Sequence, residues 1–238
     1  VLEDGVVYPP CAAQFFLAQA KKACSKVRTR VAVKALLPEG GVELADGLRI
    51  SAGRSVSATG PWSPKLTPGL AVRKRKGHLV ITDRAPRFVR HQIVELGYLK
   101  SAHSTGKDSV AFNIQPRITG QMLIGSSRQF DVETSAVDQS ILNRMLQRAF
   151  EYLPGLAKLS AIRVWTGHRA ATPDKLPMIG PSVVSDRIWL ATGHEGLGIT
   201  TSLGTGRLLA DLLLERPTEI DAAPFAPSRF AKEVVAHE

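Results

Sequence analysis

One stretch constrains this chain more than any other: an apolar strand that leads directly into a cluster of glycines and then into a helix. The stretch reads LATGHEGLGITTSLGTG over residues 190–206, and Ile188 and Trp189 extend the apolar run before it. A short continuous apolar run is typical of a strand buried inside a parallel sheet. The glycines and the helix after them predict one of two things. They form a cradle of backbone N–H groups for an anion or a polarised carbonyl, or a tight turn that needs glycine for its backbone angles and packing.

The spacing of these glycines does not decide between the two interpretations. GHEGLG has the pattern G-x-x-G-x-G, whereas the dinucleotide fingerprint is G-x-G-x-x-G with an acidic residue about 20 positions further on. Taken alone, the stretch favours the tight turn, so the rest of the sequence has to be considered.

Composition sets the outer limits. With 238 residues, 44% of them hydrophobic, the chain can bury one large core or two modest ones. No apolar run reaches the roughly 20 residues that span a bilayer, and no basic-then-apolar leader opens the sequence. We therefore expect a cytoplasmic location, with peripheral membrane association left open. Cys11 and Cys24 suggest neither a disulfide framework nor a metal site, and we expect both to be buried small residues on one helix.

The net charge of +10 has more than one explanation. The basic residues are spread along the chain, and the densest run, VRKRKGHLVITDR, alternates into a strand. We interpret most of them as a solvated surface, with attraction of anionic ligands or an acidic partner as the next explanation. Nucleic-acid binding would rest on charge alone and is not expected. The six histidines form no pair at metal-ligand spacing beside a carboxylate, so no metal site is expected either.

Periodicity predicts helices at the start of the chain and strands in its middle. The segment CAAQFFLAQAKKAC, residues 11–24, places apolar residues on one face of a helix. From residue 71 onward the sequence pattern changes to longer β-like segments, one of which is FVRHQIVELGYLK at residues 88–100. FNIQ and QMLIG on either side of PRITG predict a hairpin.

Further along the chain, the sequence predicts two more helices. Residues 135–156 form an amphipathic pattern with a capping-box-like start at Ser135 and Asp138. The segment of residues 163–181 is predicted to be rich in loops, with two short extended pieces. Residues 200–215 are predicted as the last helix.

Several motifs, taken in order, resemble one family. WTGHRAATPDKLPMIGP, a strand, and ATGHEGLGI before a helix resemble the C-terminal signature of the FAD-dependent D-amino-acid oxidase family, which includes glycine oxidase, sarcosine oxidase and the D-amino-acid dehydrogenases. SATGPWSPKL with VRKRKGHLV, and FNIQPRITGQMLIGSS, resemble two further segments of that family. Each motif alone is weak, but their order matches over nearly the whole chain. IQPRITGQMLIGSSRQF looks most like subunits of multi-component opine oxidases and D-hydroxyproline dehydrogenases.

The resemblance implies a fold and a reaction. The fold is of the α/β class: a Rossmann-like FAD-binding domain portion, residues 1–70 and 166–238, plus an antiparallel-sheet substrate-binding domain, residues 71–165. FAD is the implied cofactor. The implied reaction oxidises the amine α-carbon of a (D-)amino acid, or of a related secondary amine such as D-hydroxyproline or an opine, by hydride transfer to flavin N5. Other subunits of a multi-component dehydrogenase are candidate partners.

The resemblance also assigns the glycine-rich turn, which in the family lies against the pyrimidine end of the flavin. Four N–H groups would stabilise negative charge on the reduced ring, because a helix N-terminus favours charge there; they belong to Gly196, Leu197, Gly198 and Ile199. Gly193, His194 and Glu195 occupy the same turn. The side chains of His194 and Glu195 could equally be solvent-facing turn residues.

Other cofactor candidates are less securely placed. Gly60 and Trp62 follow a strand that ends in ATG, as the apolar strand before the glycine cluster does, and two adjacent strand ends would line a ligand crevice. Trp62 could also be a core aromatic residue at a domain junction. Gly167 is a further candidate in the WTGHR segment, and Val33 matches a family position beside the adenine.

Arg169 matches the family arginine that pairs with the substrate carboxylate. A planar guanidinium can hold a carboxylate by two parallel hydrogen bonds and so fix the substrate α-carbon. The alternative is an arginine in a surface loop. Asn113 falls where glycine oxidase has a pocket tyrosine, which argues against simple glycine specificity, and Gln115 is a second pocket candidate.

One family feature is not found in these residues. The family opens with a βαβ unit carrying G-x-G-x-x-G, which holds the FAD pyrophosphate, and nothing in the 238 residues matches it. We therefore expect this chain alone to bind FAD poorly or not at all, which leaves its activity on its own open. The alternative function is that of a truncated or subunit-like, non-catalytic chain that binds a partner.

Overall fold

The computed structural model of the chain describes residues 5–97 and 108–230. In chain order the described strands are β1 (Val33–Leu36), β2 (Gly41–Leu44), β3 (Arg49–Ser51), β4 (Ser55–Ser57), β5 (Arg73–Arg84), β6 (Ile93–Val94), β7 (Ser109–Pro116), β8 (Gln121–Phe130), β9 (Ala161–Ala171), β10 (Met178–Pro181) and β11 (Ile188–Thr192). The described helices are α1 (Pro9–Lys22), α2 (Ser63–Leu66), α3 (Gln139–Tyr152) and α4 (Ser202–Leu213), with 3-10 turns at Gly60–Trp62, Pro154–Lys158, Ala223–Phe225 and Pro227–Phe230. This mixture of helices and sheets confirms the predicted α/β class.

The chain divides into two compact units. The sheet unit contains Lys74–Arg169 together with residues 5 and 6, and the turn unit contains Val7–Arg73 and residues 170–230. The boundaries therefore lie at 73/74 and 169/170, where the sequence predicted 70/71 and 165/166. The shift at the second boundary follows from β9, which lies beside β5 in the larger sheet. The roles of FAD binding and substrate binding for the two predicted domains stay predictions.

The sheet unit is built on five strands in the order β6-β7-β8-β5-β9, with α3 packed on one face. β7 and β8 form the predicted hairpin, whose turn is closed by the Arg117 N–H donating to the Gln121 carbonyl at 2.8 Å. Burying one large apolar side chain contributes about 1.5–3 kcal/mol, so the cluster between α3 and the sheet stabilises the unit. Its buried members are Val80, Phe112, Ile114, Met122, Ile124, Leu142, Met145, Ala149 and Leu156.

The N-terminus of α3 differs from its predicted start. Asp138 is the N-cap, and its carboxylate accepts hydrogen bonds from the Ser140 N–H at 3.0 Å and the Ile141 N–H at 3.2 Å. The bond from Ile141, and after it the bond from the Gln129 side chain, hold the pKa of the Asp138 carboxyl below its ordinary value. The prediction of a helix start at Ser135 is wrong, because that residue precedes the cap and its carbonyl accepts a bond from the Thr166 hydroxyl at 2.6 Å.

The turn unit contains two three-stranded sheets. The first has the order β1-β2-β3 and is antiparallel. In the second, β10-β11-β4, the central strand β11 pairs antiparallel with β10 and parallel with β4. Ile188, Leu190 and Thr192 of β11 are buried, which confirms the prediction of a buried strand with a parallel neighbour. A small core cluster of Val72, Ala170 and Met178 completes the unit, with Leu70 and Phe230 packed against it.

Helix α1 forms where the sequence predicts it, but none of its residues is buried. Phe15, Phe16 and Leu17 are each about half exposed. The prediction that Cys11 and Cys24 are buried is therefore wrong: both are free and exposed, and Cys24 lies beyond the helix with a φ of 66°. The reason is that nothing in the described part of the chain covers the apolar face of α1.

Three further predictions from local composition are wrong in part. The strand predicted over residues 88–100 is reduced to β6, and residues 98–100 lie outside the described ranges. The segment predicted as loop-rich contains the 11-residue strand β9, because its place beside β5 supplies hydrogen-bonding partners that local composition does not reveal. The densest basic run is not a solvated surface throughout. Arg75 and Lys76 are almost completely buried because they lie on β5 inside the sheet, and the Arg75 guanidinium stands 4.6 Å from the centre of the Phe130 ring.

No helix within residues 5–97 and 108–230 is both long and apolar enough to cross a membrane. The cytoplasmic location expected from the sequence stays a prediction.

Candidate functional site

In the turn unit, two parallel strands end at the same edge of their sheet. β4 and β11 pair in parallel register, with Ser57 opposite Leu190. Each strand leads into a glycine with a left-handed backbone, Gly60 at φ +55° and Gly193 at φ +84°. The carboxyl edge of parallel strands is where α/β sheets bind ligands, so these two glycines mark the candidate edge of the unit.

Hydroxyl groups, most of them buried, connect the two strand ends. The Ser57 Oγ lies 3.0 Å from the Thr59 Oγ1, which lies 3.1 Å from the Ser63 Oγ. Ser63 donates to the Thr192 Oγ1 at 3.0 Å, and Thr192 donates to the Gly60 carbonyl at 3.0 Å. A buried polar chain whose members satisfy one another holds its elements in one arrangement. These hydroxyls therefore fix the two glycine turns relative to each other.

The three glycines of GHEGLG differ in whether the structure requires a glycine at their position. A Cβ atom on Gly193 would lie 2.6 Å from the Thr172 Cγ2, and the left-handed φ of Gly193 would strain any other residue. Gly196 has no left-handed φ, and its Cβ would meet nothing within 4 Å. Gly198 has an ordinary φ as well, with a Cβ that would stand 3.3 Å from the Cβ of His194. The tight-turn interpretation is therefore correct for Gly193, whereas the other two glycines keep the backbone accessible.

Backbone N–H groups are available after this turn. Within the described part of the chain, the N–H groups of Gly196, Gly198 and Ile199 have no hydrogen-bond acceptor. The Leu197 N–H donates to the His194 carbonyl at 3.0 Å, so the prediction that all four N–H groups face a ligand is wrong for this one. α4 begins a few residues later, and the positive end of its dipole lies at Ser202. Three accessible N–H donors before a helix N-terminus favour the binding of an anionic or carbonyl oxygen.

His194 and Glu195 have defined positions in the turn. The His194 Nε2 lies 2.9 Å from the Thr205 Oγ1 in α4, and burial lowers the pKa of His194 below its ordinary value of 6.5. His194 is therefore neutral near neutral pH. Glu195 adopts a left-handed φ of +50°, and its N–H donates to the Ala170 carbonyl at 2.8 Å. The imidazole of His194 connects the turn to α4, and the backbone of Glu195 connects it to the end of β9.

Large apolar side chains are exposed around these turns. Trp62, Leu197 and Ile199 are 51%, 62% and 58% exposed, so the alternative that Trp62 is a core residue is wrong. Val33 is also exposed, at the start of β1, but it belongs to the other sheet of the turn unit. The structure thus groups Trp62 with the glycine turns and leaves Val33 in a separate sheet.

In the sheet unit, Arg169 lies on β9 and its guanidinium reaches over the neighbouring strand. The Arg169 Nη1 donates to the Ser127 carbonyl on β8 at 3.2 Å. A Cβ atom on Gly77 of β5 would lie 2.4 Å from the same Nη1. Arg169 is half-buried, so it is not the arginine of an exposed surface loop. Gly167, two residues earlier on β9, is exposed and open.

Asn113 and Gln115 lie on the sheet face opposite α3. Side chains alternate between the two faces of a strand, and Phe112 and Ile114 pack in the core under α3, so Asn113 and Gln115 point the other way. The Asn113 Oδ1 accepts a hydrogen bond from the Gln92 side chain at 3.3 Å.

Arg169 reaches the same face of the sheet. On β5, Val80 packs in the core under α3. The His78 ring on the same strand reaches the Asp138 N–H at the N-terminus of α3, so the adjacent Gly77 presents the hydrogen in its Cβ position to the opposite face, which is where the guanidinium lies. The structure therefore brings the three predicted substrate residues, Arg169, Asn113 and Gln115, to one face of the sheet.

A buried histidine stands behind this face. His78 is fully buried, its N–H donates to the Ser127 Oγ at 2.9 Å, and its Nδ1 lies 2.8 Å from the same oxygen. The His78 Nε2 accepts a bond from the Asp138 N–H at 3.0 Å, so the ring proton belongs on Nδ1. Burial, and after it the charge of Lys76, lower the pKa of His78, against a smaller opposite effect of Asp138. His78 therefore ties β5 and β8 to the N-terminus of α3 as a neutral ring.

Sequence analysis did not identify Gly77, His78 or the hydroxyl chain. A signal existed for Gly77, because a glycine inside a strand often marks a close approach of another group. The repeated ATG strand ends gave a signal for Thr59 and Thr192. The sequence around Ser63 and Ser127 carried no comparable pattern.

Comparison with known proteins decides the family. The model of the FAD dependent oxidoreductase family matches residues 1–212. The chain belongs to this family. The hydrogen cyanide synthase subunit HcnC of Pseudomonas aeruginosa is 30% identical over 189 residues, which cover 76% of the chain and 41% of that protein. The D-amino acid dehydrogenase of Xanthobacter autotrophicus is 31% identical over 204 residues, 81% of the chain and 44% of that protein.

A solved structure gives the same fold. L-proline dehydrogenase from P. horikoshii matches with a TM-score of 0.80 at 22% identity, covering 93% of the chain and 59% of that protein. The chain spans less than half the length of the two relatives above, at 41% and 44%.

The family's cofactor is FAD, and the residues of the turn unit fit part of it. The N–H groups of Gly196, Gly198 and Ile199 suit the carbonyl edge of a flavin ring, which carries negative charge after reduction. The exposed side chains of Trp62 and Leu197 suit its flat apolar faces. The pyrophosphate is different, because no G-x-G-x-x-G occurs in the 238 residues.

Proposed function

We propose that this FAD-dependent oxidoreductase oxidises the amine α-carbon of an amino acid, with Arg169 binding the substrate carboxylate. The observation that carries the proposal is the position of the Arg169 guanidinium, held against the β5 backbone and the Ser127 carbonyl on the sheet face that also bears Asn113 and Gln115. A planar donor group held in one orientation suits a carboxylate, because two parallel N–H bonds match its two oxygens.

The turn unit would hold the flavin ring. Gly196, Gly198 and Ile199 would donate N–H groups to its pyrimidine edge, and the neutral His194 would keep the turn attached to α4. FAD, when bound, supplies the acceptor for the substrate hydride. The chain's own residues then need to orient the substrate and exclude water, and the proposal assigns no protein residue as a general base.

The groups on the sheet face support a polar substrate. Amide side chains at Asn113 and Gln115 offer both donors and acceptors, which suits a polar substrate such as D-hydroxyproline or an opine. The similarity to a D-amino acid dehydrogenase supports a (D-)amino acid or a related secondary amine.

A second candidate function is that of a subunit-like chain whose role is partner binding. It is favoured by α1, which buries no residue and exposes Phe15, Phe16 and Leu17. The relative HcnC is itself named as a subunit, which supports other subunits as partners. The flavin absorbance of the purified protein separates the two candidates, because a non-catalytic partner-binding chain carries no flavin that amino acids reduce.

Two replacements of Arg169 test the proposed function in the FAD-loaded protein. Arg169→Ala removes one partner of a charged pair, and we expect kcat/KM for the carboxylate substrate to fall by about 2–4 kcal/mol of transition-state binding. Arg169→Lys keeps the charge without the fork and should retain turnover at raised substrate concentration. An amine substrate without a carboxylate is the control, and both variants should treat it as the parent does. A change below about threefold for Arg169→Ala, well under 1.4 kcal/mol, contradicts the assignment.

A further inference from the structure

Gly77 occupies an unusual place for a glycine. It lies inside β5, in the stretch between Lys76 and Val80 where the pairing with β8 is irregular. Its φ is not left-handed, so the backbone does not require glycine there. Glycine inside a strand weakens the strand unless another group needs the space. The structural reason for Gly77 must therefore lie in its surroundings.

The heavy atoms nearest to the side-chain position of Gly77 belong to one group. A Cβ atom at this position would lie 2.4 Å from the Arg169 Nη1, 2.8 Å from its Nη2 and 2.9 Å from its Cζ. All three atoms belong to the guanidinium, and its two terminal nitrogens lie nearer than Cζ, so the edge formed by Nη1 and Nη2 faces Gly77. Any larger residue would displace the guanidinium, because the end of an arginine side chain yields more easily than the backbone of a strand inside a sheet.

The guanidinium is also hydrogen-bonded to β8. Its Nη1 donates to the Ser127 carbonyl at 3.2 Å. The Ser127 side chain is fixed in turn by the N–H and the Nδ1 of His78, the residue that follows Gly77 on β5. The guanidinium thus lies against the backbone of Gly77 on β5 and is hydrogen-bonded to a carbonyl group on β8.

We propose that Gly77 is a positioning residue, which sets the position of the Arg169 guanidinium on the sheet face and so selects substrates with a carboxylate next to the reacting amine. This inference rests on the proposed function of Arg169. A carboxylate bound by two parallel bonds places the rest of the substrate at a fixed distance and angle. Moving the guanidinium by the width of a methyl group therefore moves the substrate α-carbon, and misplacement of about 1 Å can cost about 100-fold in rate.

The test is Gly77→Ala in the FAD-loaded protein. We expect kcat/KM for the carboxylate substrate to fall by roughly 10–100-fold, and the Kd of benzoate, a non-reactive carboxylate measured by the change in flavin absorbance, to rise. The FAD content and the oxidation of an amine without a carboxylate should stay as in the parent. Gly53→Ala is the matched control, because a Cβ there meets nothing within 4 Å and its φ is ordinary.

The double variant Gly77→Ala, Arg169→Ala shows whether the effect passes through the arginine. If it does, the added methyl costs nothing further once the guanidinium is gone, so the double variant behaves like Arg169→Ala alone. The thermal unfolding midpoints give the same cycle without any activity. A loss of stability caused by Gly77→Ala should disappear in the Arg169→Ala background, whereas the same loss in both backgrounds overturns the proposal.

Failure of this inference and failure of the proposed function give different results. If Gly77→Ala leaves kcat/KM and the Kd of benzoate within about threefold of the parent, while Arg169→Ala lowers both kcat/KM and benzoate affinity, then Gly77 does not position the arginine and the proposed function stands. If Arg169→Ala has no effect either, the proposed function itself is wrong.

Discussion

His78 couples the candidate substrate face to the helix behind it. Its ring lies between the Ser127 hydroxyl and the Asp138 N–H, with Lys76 and Asp138 as the neighbouring charged groups. The folded protein holds the ring neutral, because burial lowers the pKa of His78 below its ordinary value of 6.5. A proton added to Nε2 would also remove the acceptor for the Asp138 N–H. Folding and protonation of this residue therefore oppose each other.

The pH dependence of stability tests this coupling. Because the pKa of His78 is lower in the folded than in the unfolded chain, its contribution is complete above 6.5 and is lost as the pH falls from there through the folded-state pKa. We expect the unfolding free energy of the parent to fall more steeply over this window than that of His78→Gln, by at most about 1.4 kcal/mol per pH unit for one proton. Urea unfolding at several pH values measures the two slopes, and His194 titrates in both proteins alike. Equal slopes would contradict the account of His78.

At the scale of elements, the turn between β11 and α4 depends on Gly193 more than on Gly196. Replacing Gly193 by Ala places a Cβ against the Thr172 methyl and forces a left-handed φ on a residue with a side chain. We expect Gly193→Ala to lower the unfolding free energy by about 1–3 kcal/mol. Gly196→Ala, at an open position, should change it by less than about 0.5 kcal/mol.

Thr172→Ser separates the two causes. It removes the methyl group that a Cβ on Gly193 would meet and keeps the hydroxyl that donates to the Leu176 carbonyl. Combined with Gly193→Ala, it should restore the unfolding free energy lost to the contact with the methyl group. The free energy lost to the left-handed φ should remain lost. Chemical denaturation of the four variants measures both parts. Equal stabilities of Gly193→Ala and Gly196→Ala would show that the turn does not need its left-handed glycine.

The same scale shows what the sequence could predict. The hairpin of β7 and β8 was predictable, because alternation and a turn segment are both local signals. The buried strand β11 was predictable from its apolar run, and so was α4 from its periodicity. β9 was not, because its residues resemble a loop and only the neighbouring β5 makes them a strand. The apolar face of α1 predicted burial that nothing in the described residues provides.

The site was predictable only in part. Family resemblance gave both Arg169 and the role of the glycine turn, because the spacing of the glycines did not decide between a cradle and a tight turn. The resting place of the guanidinium on Gly77 depends on the packing of β9 beside β5, which no local pattern encodes. The hydrogen bond that occupies the Leu197 N–H, donated to the His194 carbonyl, likewise depends on turn geometry that no local pattern encodes.

At the scale of the whole molecule, the two units carry complementary chemistry. The turn unit offers N–H donors and exposed apolar side chains that suit a flavin ring, and the sheet unit offers an oriented guanidinium that suits a carboxylate. Both sets of groups are consistent with membership of the FAD dependent oxidoreductase family. Each set of groups is one that the proposed oxidation of a carboxylate-bearing amine would use.

Anaerobic reduction of the bound flavin tests this central claim most directly. The FAD-loaded protein, with a dinucleotide-binding segment supplied if the 238 residues alone do not retain FAD, is mixed with D- and L-amino acids, D-hydroxyproline and an opine. Decarboxylated amines of the same side chains serve as controls. We predict that at least one carboxylate-bearing amine bleaches the visible flavin absorbance rapidly, and that its decarboxylated counterpart does so far more slowly. Bleaching by none of these amines, or equally fast bleaching by both members of a pair, would contradict the account.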